Sequence, residues 1–257
     1  MRLVCLTENT SICDTVAAEH GLSLYIEVNG RTLLFDMGQS SLFAENAVSL
    51  DVDLAAVDTA ILSHGHYDHG GGLATFLTLN DQAPVYLSRY AFEKHFNGEK
   101  YIGLNPALAE NNRLHFTDGV YALGDGLTLY ANALQVGTLA HGSAGLTAET
   151  DGVRRDDDYR HEQYLLIEEH GKRVLISGCS HRGILEITTH FHPDILIGGF
   201  HLSKLTAEQA VSEYAAPLNA LNTDFYTCHC TGTTQYDALS AVMPRLSYLA
   251  GGQQLIV

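Results

Sequence analysis

Four potential metal ligands stand within six residues of this chain. They lie in Leu62-Ser63-His64-Gly65-His66-Tyr67-Asp68-His69-Gly70-Gly71, directly after an apolar strand-like run. In an extended segment His64 and His66 project to the same side, and a turn into a helix lets Asp68 and His69 face that point from the other flank. Imidazole and carboxylate donors suit zinc, manganese or iron, and the lack of a local cysteine pair argues against a closed structural zinc site. The segment therefore predicts two adjacent metal positions.

Three further histidines follow later apolar runs that open into turns. We predict His181 and His229 as metal ligands, because ligand sites gather where strands end and helices begin. His201 has the same setting, and substrate contact is favoured there over ligation. The neighbouring cysteines are alternative soft ligands, although such residues are more often small buried ones: Cys179, Cys228 and Cys230. The other histidines read as ordinary surface or core residues: His20, His95, His115, His170, His190 and His192.

The composition is that of a packed globular chain. The 257 residues are 46% hydrophobic and 17% charged, which excludes general disorder and predicts one domain over residues 1–257. No apolar run approaches the roughly 18 residues of a membrane span, and the beginning of the chain turns polar before a signal-peptide core is complete. We therefore expect a soluble, unexported protein.

The charge balance excludes several partners. Lys and Arg number 14 against 30 Asp and Glu, so the formal charge is −16 and polyanions are repelled. We expect a small-molecule partner, with neither nucleic acid nor membrane, and the sequence leaves the oligomeric state open. Five cysteines are an odd number, which favours reduced thiols and a cytoplasmic location.

The apolar pattern predicts alternating strands and helices in the first part of the chain. Residues 22–28 and 31–36 flank Asn29-Gly30, a strong two-residue hairpin signal. The later pattern predicts, in order, a helix at 41–50, a strand at 59–63, a helix after Gly72, a strand at 85–88 and a helix around 89–96.

The second part of the chain predicts another sheet. Residues 97–112 are irregular, 113–137 hold short strands, and 138–160 lack periodicity, which predicts a solvated, mobile loop that could border a site. The remaining pattern predicts strands at 164–168, 173–177, 195–197 and 225–227, and helices from 182, at 206–221 and at 234–243. Two strand-rich halves with flanking helices predict an α/β fold with a four-layer αββα sandwich.

The His-x-His-x-Asp-His motif resembles the signature of the metallo-β-lactamase superfamily. The resemblance implies that His64 and His66 bind one metal ion, that Asp68 and His69 bind a second, and that later strand ends complete both sets of ligands. The flavodiiron oxygen-reducing branch typically has Glu where this chain has His66, so a hydrolase-like centre is favoured over a redox di-iron one.

The chain departs from the superfamily pattern at one strand. Many members carry a bridging Asp where this chain has Ser177-Gly178-Cys179-Ser180-His181, and a histidine somewhat before it. His141 and His161 are candidates for that histidine, with flexible-loop surface residues as the alternative. The bridging carboxylate is therefore in question here.

Several segments resemble the dihydropterin ribofuranosylaminobenzene-phosphate synthase-like group, and the resemblance covers nearly the whole chain. The segments are Glu19-His20-Gly21-Leu22-Ser23, Leu34-Phe35-Asp36-Met37-Gly38-Gln39-Ser40, Gly178-Cys179-Ser180-His181-Arg182-Gly183-Ile184, Gly198-Gly199-Phe200-His201-Leu202 and His229-Cys230-Thr231-Gly232. The resemblance implies an enzyme that joins a pterin diphosphate to an aminobenzene ribose phosphate, although many relatives are described only as metal-dependent hydrolases. That branch often has an acidic residue where this chain has His161.

These features predict a metal-dependent hydrolase with two divalent ions, zinc first, with manganese or iron as alternatives. Asp68 is the predicted catalytic residue, which holds the attacking water and accepts its proton. Arg182 and Lys204 follow two of the predicted site histidines and are candidate contacts for an anionic, phosphate- or diphosphate-containing substrate, with solvated surface charge as the alternative.

Three rival functions stay open at this point. A pterin-transferring synthase would use the same metals to bind diphosphate and help it leave. A non-catalytic ligand-binding protein would keep the fold and the metal without turnover, and an iron-loaded redox protein would show oxygen-dependent chemistry. A nuclease of this fold is disfavoured because the chain is strongly acidic.

Overall fold

Two seven-stranded sheets dominate the fold. The computed structural model describes residues 1–132 and 145–257. The first sheet has the order β18-β1-β2-β3-β4-β5-β8, with strands Gln254–Ile256, Arg2–Thr7, Ser23–Val28, Arg31–Phe35, Thr59–Ile61, Val85–Ser88 and Leu114–Thr117. The second has the order β17-β16-β15-β14-β13-β10-β9, with strands Leu246–Tyr248, Asp224–Thr227, Ile195–Gly198, Lys172–Ile176, Gln163–Glu169, Leu127–Ala131 and Gly119–Gly124.

Helices cover the outer face of each sheet. On the first sheet they are α1 (Leu42–Ser49) and α3 (Leu73–Leu79), while the short α2 (Tyr67–Gly70) carries Asp68 and His69. On the second they are α4 (Ile184–Phe191), α5 (Ala207–Ala210), a π-helical turn (Val211–Ala215), α6 (Ala216–Asn219) and α7 (Thr233–Ser240). Short 3₁₀ turns occur at Leu54–Ala56, Pro106–Leu108 and His229–Thr231.

The hydrophobic core has three layers. The central layer joins the inner faces of the two sheets, for example Leu24 and Leu33 from the first and Leu165 and Ile176 from the second. The outer layers lie between each sheet and its helices, around Phe43 and Phe76 on one side and around Phe191 and Tyr214 on the other. The predicted αββα sandwich is therefore confirmed.

The local predictions of strands and helices are mostly confirmed. The hairpin of β2 and β3 turns at Asn29 and Gly30, with φ of 50° and 76°, the left-handed values of a type I′ turn. The helix predicted at 41–50 and the strand predicted at 85–88 are also present.

The helix predicted around residues 89–96 is wrong. A turn occupies that region and leads into strand β6 (Lys94–Asn97), which pairs with β7 (Lys100–Tyr101) and with β11 (Leu146–Thr150). The reason is tertiary: His95 is fully buried and its Nδ1 lies 2.9 Å from a carboxylate oxygen of Asp157. A contact 62 residues away outweighs the local pattern.

The loop predicted at 138–160 is also corrected where it is described. Strands β11 and β12 (Val153–Asp156) form a hairpin in a four-stranded sheet of order β12-β11-β6-β7. The charged run at 154–158 is exposed only in part, because Asp157 is buried. His141 lies outside the described residues.

One side chain cross-links the two large sheets. Gln163, at the beginning of β13, donates from Nε2 to the carbonyl oxygens of Leu62 and Tyr86, and its Oε1 accepts from Thr117. Its backbone N–H donates to Ser63. These bonds fix the relative position of the strand ends that carry the histidines. Within the described residues, no helix is long and apolar enough to cross a bilayer.

Candidate metal centre

The motif segment 62–70 runs from a strand into a short helix. β4 ends at Ile61, the chain continues extended through His66, and α2 begins at Tyr67. Asp68 and His69 therefore lie on the first turn of α2 and His64 and His66 on the extended part, as the sequence pattern predicts. All four side chains are buried.

Asp68, His69 and His229 form one group of potential ligands, called position A. The Nε2 atoms of His69 and His229 are 3.2 Å apart, and Nε2 of His229 lies 3.4 Å from a carboxylate oxygen of Asp68. His69 donates from Nδ1 to Asp36, and His229 donates from Nδ1 to Oδ1 of Asn9.

The tautomers at position A fit a metal ion. Because Nδ1 of His69 and of His229 each carries the ring hydrogen, both Nε2 atoms present lone pairs to the same point. Two lone pairs 3.2 Å apart repel each other, whereas two nitrogens on one tetrahedral zinc ion lie about 3.4 Å apart. The donor set therefore fits a divalent cation.

His64 and His181 form a second group, called position B. Their Nε2 atoms are 3.3 Å apart. The hydroxyl of Ser63 donates to Asp36, so it accepts from Nδ1 of His64, which again leaves Nε2 as a lone pair. The His181 ring stacks on Tyr159 at a centroid distance of 4.5 Å. The distance between the two Nε2 atoms also fits two ligands of one cation, although only the tautomer of His64 is set by a neighbour.

Cys179 lies between the two positions. Its Sγ is 3.2 Å from Nε2 of His69, and it groups both with His69 and His229 and with His64 and His181 within 4.8 Å. It occupies the strand end at which the resemblance implies a carboxylate. Burial raises the pKa of this thiol, so a bound cation is what would favour its thiolate. Cys230 forms a further group with Cys179 and His201, and Cys228 belongs to the core between the sheets.

Asp68 is held in its ionised form. Burial alone would raise its pKa, but the hydrogen bond from His20 and the neighbouring rings of His229 and His69 lower the pKa well below its usual range. Nε2 of His20 lies 3.1 Å from the carboxylate, and the His20 side chain is half exposed. Sequence reasoning missed His20, whose only signal was its place in a segment that resembles the pterin synthase-like group.

The histidine rings at position A depend on buried acceptors that the sequence did not single out. Asp36 accepts from the N–H and hydroxyl of Ser63 and from His69, so it orients ligands of both positions. Glu8 accepts from the backbone N–H of His229. Burial alone would lower the pKa of His69, but the Asp36 carboxylate outweighs it and raises the pKa. The sequence offered one signal for Asp36, namely that it is a polar residue at the end of an apolar strand.

His181 is held through its backbone. The buried carboxylate of Glu162 accepts from the N–H groups of His181 and Arg182 and from the hydroxyl of Tyr164. Burial raises the pKa of Glu162, which these donors partly offset. Among the described residues no partner bonds to Nδ1 of His181, so its ring is oriented by stacking and by the backbone bonds rather than by an Nδ1 acceptor.

Strand ends at the site carry strained backbone. Four non-glycine residues adopt left-handed φ values: Asp36 (60°), Ser180 (56°), His201 (54°) and His229 (49°). Such conformations are uncommon outside glycine and persist where surrounding contacts enforce them, typically at functional sites. The sharp turns aim these side chains inward from successive strands.

A second buried cluster adjoins the motif. His66, His95, Asp157 and His161 have ligand atoms within 4.8 Å of one another, and each side chain is at most 4% exposed. His161 accepts at Nδ1 from the N–H of Gly65. Sequence reasoning gave His95 and Asp157 no role, since their partners are far apart along the chain.

Positions A and B open into a cavity of about 310 Å³. Of the predicted site residues, His66, Asp68, His181 and His229 reach it, as do His201 and Lys204. Lys100 also lines it, with its ammonium 4.6 Å from the centre of the Tyr67 ring. Arg182 is described by the structure but does not belong to the described lining of this cavity. Its guanidinium donates to Asn132, and its role as a substrate contact stays a prediction.

Comparison with known proteins identifies the family. The metallo-beta-lactamase superfamily matches residues 17–147, about half of the chain including the whole ligand motif. The chain belongs to the metallo-beta-lactamase superfamily. The predicted family is thus confirmed, and the candidate ligands of the motif lie within the matched residues.

Three similar proteins cover nearly the full length. A solved structure described as Tm1679, a metal-dependent hydrolase of the beta-lactamase superfamily, is 30% identical with a TM-score of 0.86 and covers 100% of this chain and 99% of its own. Two relatives come from Methanocaldococcus jannaschii. The uncharacterized protein MJ0448 is 27% identical over 87% of this chain and 88% of its own length. The other is a 7,8-dihydropterin-6-methyl-4-(beta-D-ribofuranosyl)-aminobenzene-5'-phosphate synthase. It is 28% identical over 84% of this chain and 82% of its own length.

Proposed function

We propose that this protein is a metal-dependent hydrolase with two divalent ions that acts on a small anionic substrate containing phosphate or diphosphate. The observation that carries the proposal is the facing imidazole nitrogens, 3.2 Å apart at position A and 3.3 Å apart at position B. Hydrogen bonds from Nδ1 of His64, His69 and His229 leave Nε2 of these three rings as lone pairs that a shared cation would bind.

Each position has its own ligands in this proposal. Asp68, His69 and His229 would hold one ion, His64, His66 and His181 the other, and Cys179 would lie between them. When bound, the two ions would polarise a phosphoryl oxygen and acidify a water molecule. Mixed nitrogen, oxygen and sulfur donors favour zinc, with manganese or iron as alternatives.

Protein groups would handle the proton and the substrate charge. The ionised Asp68 would accept the proton of the attacking water, and His20, in contact with Asp68 and half exposed, would pass it to solvent. Lys204 and His201 at the cavity, with Lys100 opposite, would bind the anionic group. The chain-wide charge of −16 disfavours a long polyanion and supports a small substrate.

A second candidate is supported by the similarity to the pterin-related synthase at 28% identity. In that reaction the same residues would bind the diphosphate of a pterin substrate, and an aniline nitrogen would replace water as the nucleophile. The two candidates differ in a measurable way, because only the synthase couples diphosphate release to the presence of the aminobenzene substrate.

Elemental analysis of protein purified without added metal tests the dinuclear site. We expect about two metal ions per chain, and His64→Ala and His229→Ala should each lose metal together with hydrolysis of bis(p-nitrophenyl) phosphate. His190→Ala, an exposed histidine on α4, is the matched control and should lose neither. Absence of bound metal even after reconstitution would contradict the proposal. Diphosphate release that requires the aminobenzene substrate would decide for the synthase.

A further inference from the structure

The second buried cluster contains three unsatisfied ring nitrogens. Nε2 of His66, of His95 and of His161 is buried and makes no hydrogen bond to any described residue. Leaving a buried polar nitrogen unpaired costs about 1 to 3 kcal/mol, so native proteins rarely tolerate several together. The arrangement of hydrogens around Asp157 indicates what these atoms do.

The tautomers of two rings follow from their neighbours. His161 accepts at Nδ1 from Gly65, so its ring hydrogen is on Nε2, which lies 3.3 Å from a carboxylate oxygen of Asp157. His95 donates from Nδ1 to the same oxygen at 2.9 Å, so its Nε2 is a lone pair. The other oxygen of Asp157 accepts from the N–H of Tyr159. Asp157 therefore makes His95 an acceptor at Nε2.

His66 is the motif ring beside this acceptor, and within the described residues neither Nε2 atom makes a hydrogen bond in this structure. It lines the cavity beside position B, and its ring centre lies 5.4 Å from that of His95 in an edge-to-face arrangement. A histidine that binds metal through one nitrogen carries its hydrogen on the other and donates it to a fixed acceptor. His66 has a buried Nε2 with no partner, and His95 offers a buried lone pair.

We propose that His95, oriented by Asp157, is a positioning residue that accepts the Nε2 hydrogen of His66 and so directs Nδ1 of His66 toward the metal ion of position B. The chain His66–His95–Asp157 links the motif to the small sheet, because His95 lies on β6 and Asp157 follows β12. This inference rests on the proposed dinuclear function only for the metal end, since the tautomer of His66 is a property of the protein itself.

Nitrogen-15 NMR of the histidine rings in the metal-free full chain tests the tautomer directly. We expect the Nε2–H form for His66, and a mixed or Nδ1–H form in His95→Phe, which keeps a buried ring but removes the acceptor. His95→Gln supplies an acceptor oxygen and should restore the Nε2–H form. A His66 tautomer that is unchanged in His95→Phe would overturn the proposal whether or not the protein binds metal.

Chelator competition in the metal-loaded protein tests the consequence. We expect His95→Phe to lower the affinity for one of the two ions by about 10- to 100-fold. His95→Gln should recover most of that loss, and His115→Phe, at an exposed site, should leave both affinities unchanged. Wild-type affinity for each of the two ions in His95→Phe would overturn the inference while leaving the dinuclear function intact. A third ion per chain that disappears in His95→Phe would also overturn it, because the cluster would then be a metal site itself.

Discussion

Positions A and B hold their histidines by different means. At position A both rings have a side-chain acceptor at Nδ1, Asp36 for His69 and Asn9 for His229. At position B, His64 is bonded through the hydroxyl of Ser63, while Nδ1 of His181 has no hydrogen-bond partner within the described residues and its ring stacks on Tyr159.

The difference indicates which residues would control the affinity for each of the two proposed ions. A charged acceptor fixes both the tautomer and the basicity of a ligand, whereas stacking fixes only the plane of the ring. We therefore expect position A to bind its ion more tightly than position B. The two positions are still coupled, since Ser63 donates to the same Asp36 carboxylate that orients His69.

Asp36→Asn should have the largest effect because Asp36 serves both positions. The substitution removes a fully buried charge that accepts from Ser63 and His69, and unfolding free energy should fall by about 3 kcal/mol or more. Urea unfolding of the metal-free protein measures this, and chelator competition should show both ions weakened. Asp118→Asn removes an exposed pair with Arg89 and should cost less than about 1 kcal/mol. Equal costs for the two variants would break the argument.

Cys179→Ser should also affect both positions, but through direct ligation. In cobalt-loaded wild-type protein we expect the near-ultraviolet charge-transfer absorption of a thiolate ligand, and its loss in the variant. Affinity should fall by more than about 100-fold, the upper range for residues that only support a ligand. Cys228→Ser, in the core between the sheets, should keep the band. A band that survives in Cys179→Ser would exclude this thiol as a ligand.

That the candidate ligands lie close together could be predicted from sequence, because each stands where a local apolar run ends. The spacing of His64, His66, Asp68 and His69 needs only the strand-to-helix turn, and His229 needs only the end of β16. The four-layer architecture followed in the same way from periodicity, which is a local property.

The supporting residues could not be predicted, because their partners come from distant parts of the chain. Asp36 meets His69 across 33 residues, and His95 meets Asp157 across 62. The same long-range contacts explain why a helix was predicted where β6 forms, and why the charged run at 154–158 read as a solvated loop although Asp157 is buried. Local patterns carry no information about which buried acceptor a ring will find.

Glu162→Gln should separate the two positions. It weakens the acceptor for the N–H groups of His181 and Arg182, so the ion of position B should bind about 10- to 100-fold more weakly while that of position A is unchanged. Two-site chelator titration resolves the ions. Glu110→Gln, on the surface, should leave both sites as they are. A loss at position A alone would reverse the comparison.

Asn9→Ala should give the smallest effect, and it should act at position A rather than at position B. Asn9 is exposed, so its removal should lower unfolding free energy by less than about 1 kcal/mol, yet it deprives His229 of its Nδ1 acceptor. Since a neutral amide orients the ring less strongly than a carboxylate, the ion of position A should weaken by about 10-fold, the lower end for such partners. Asn112→Ala, also exposed, is the matched control. If Asn9→Ala weakened position B instead, the ring tautomers would not be what separates the two positions.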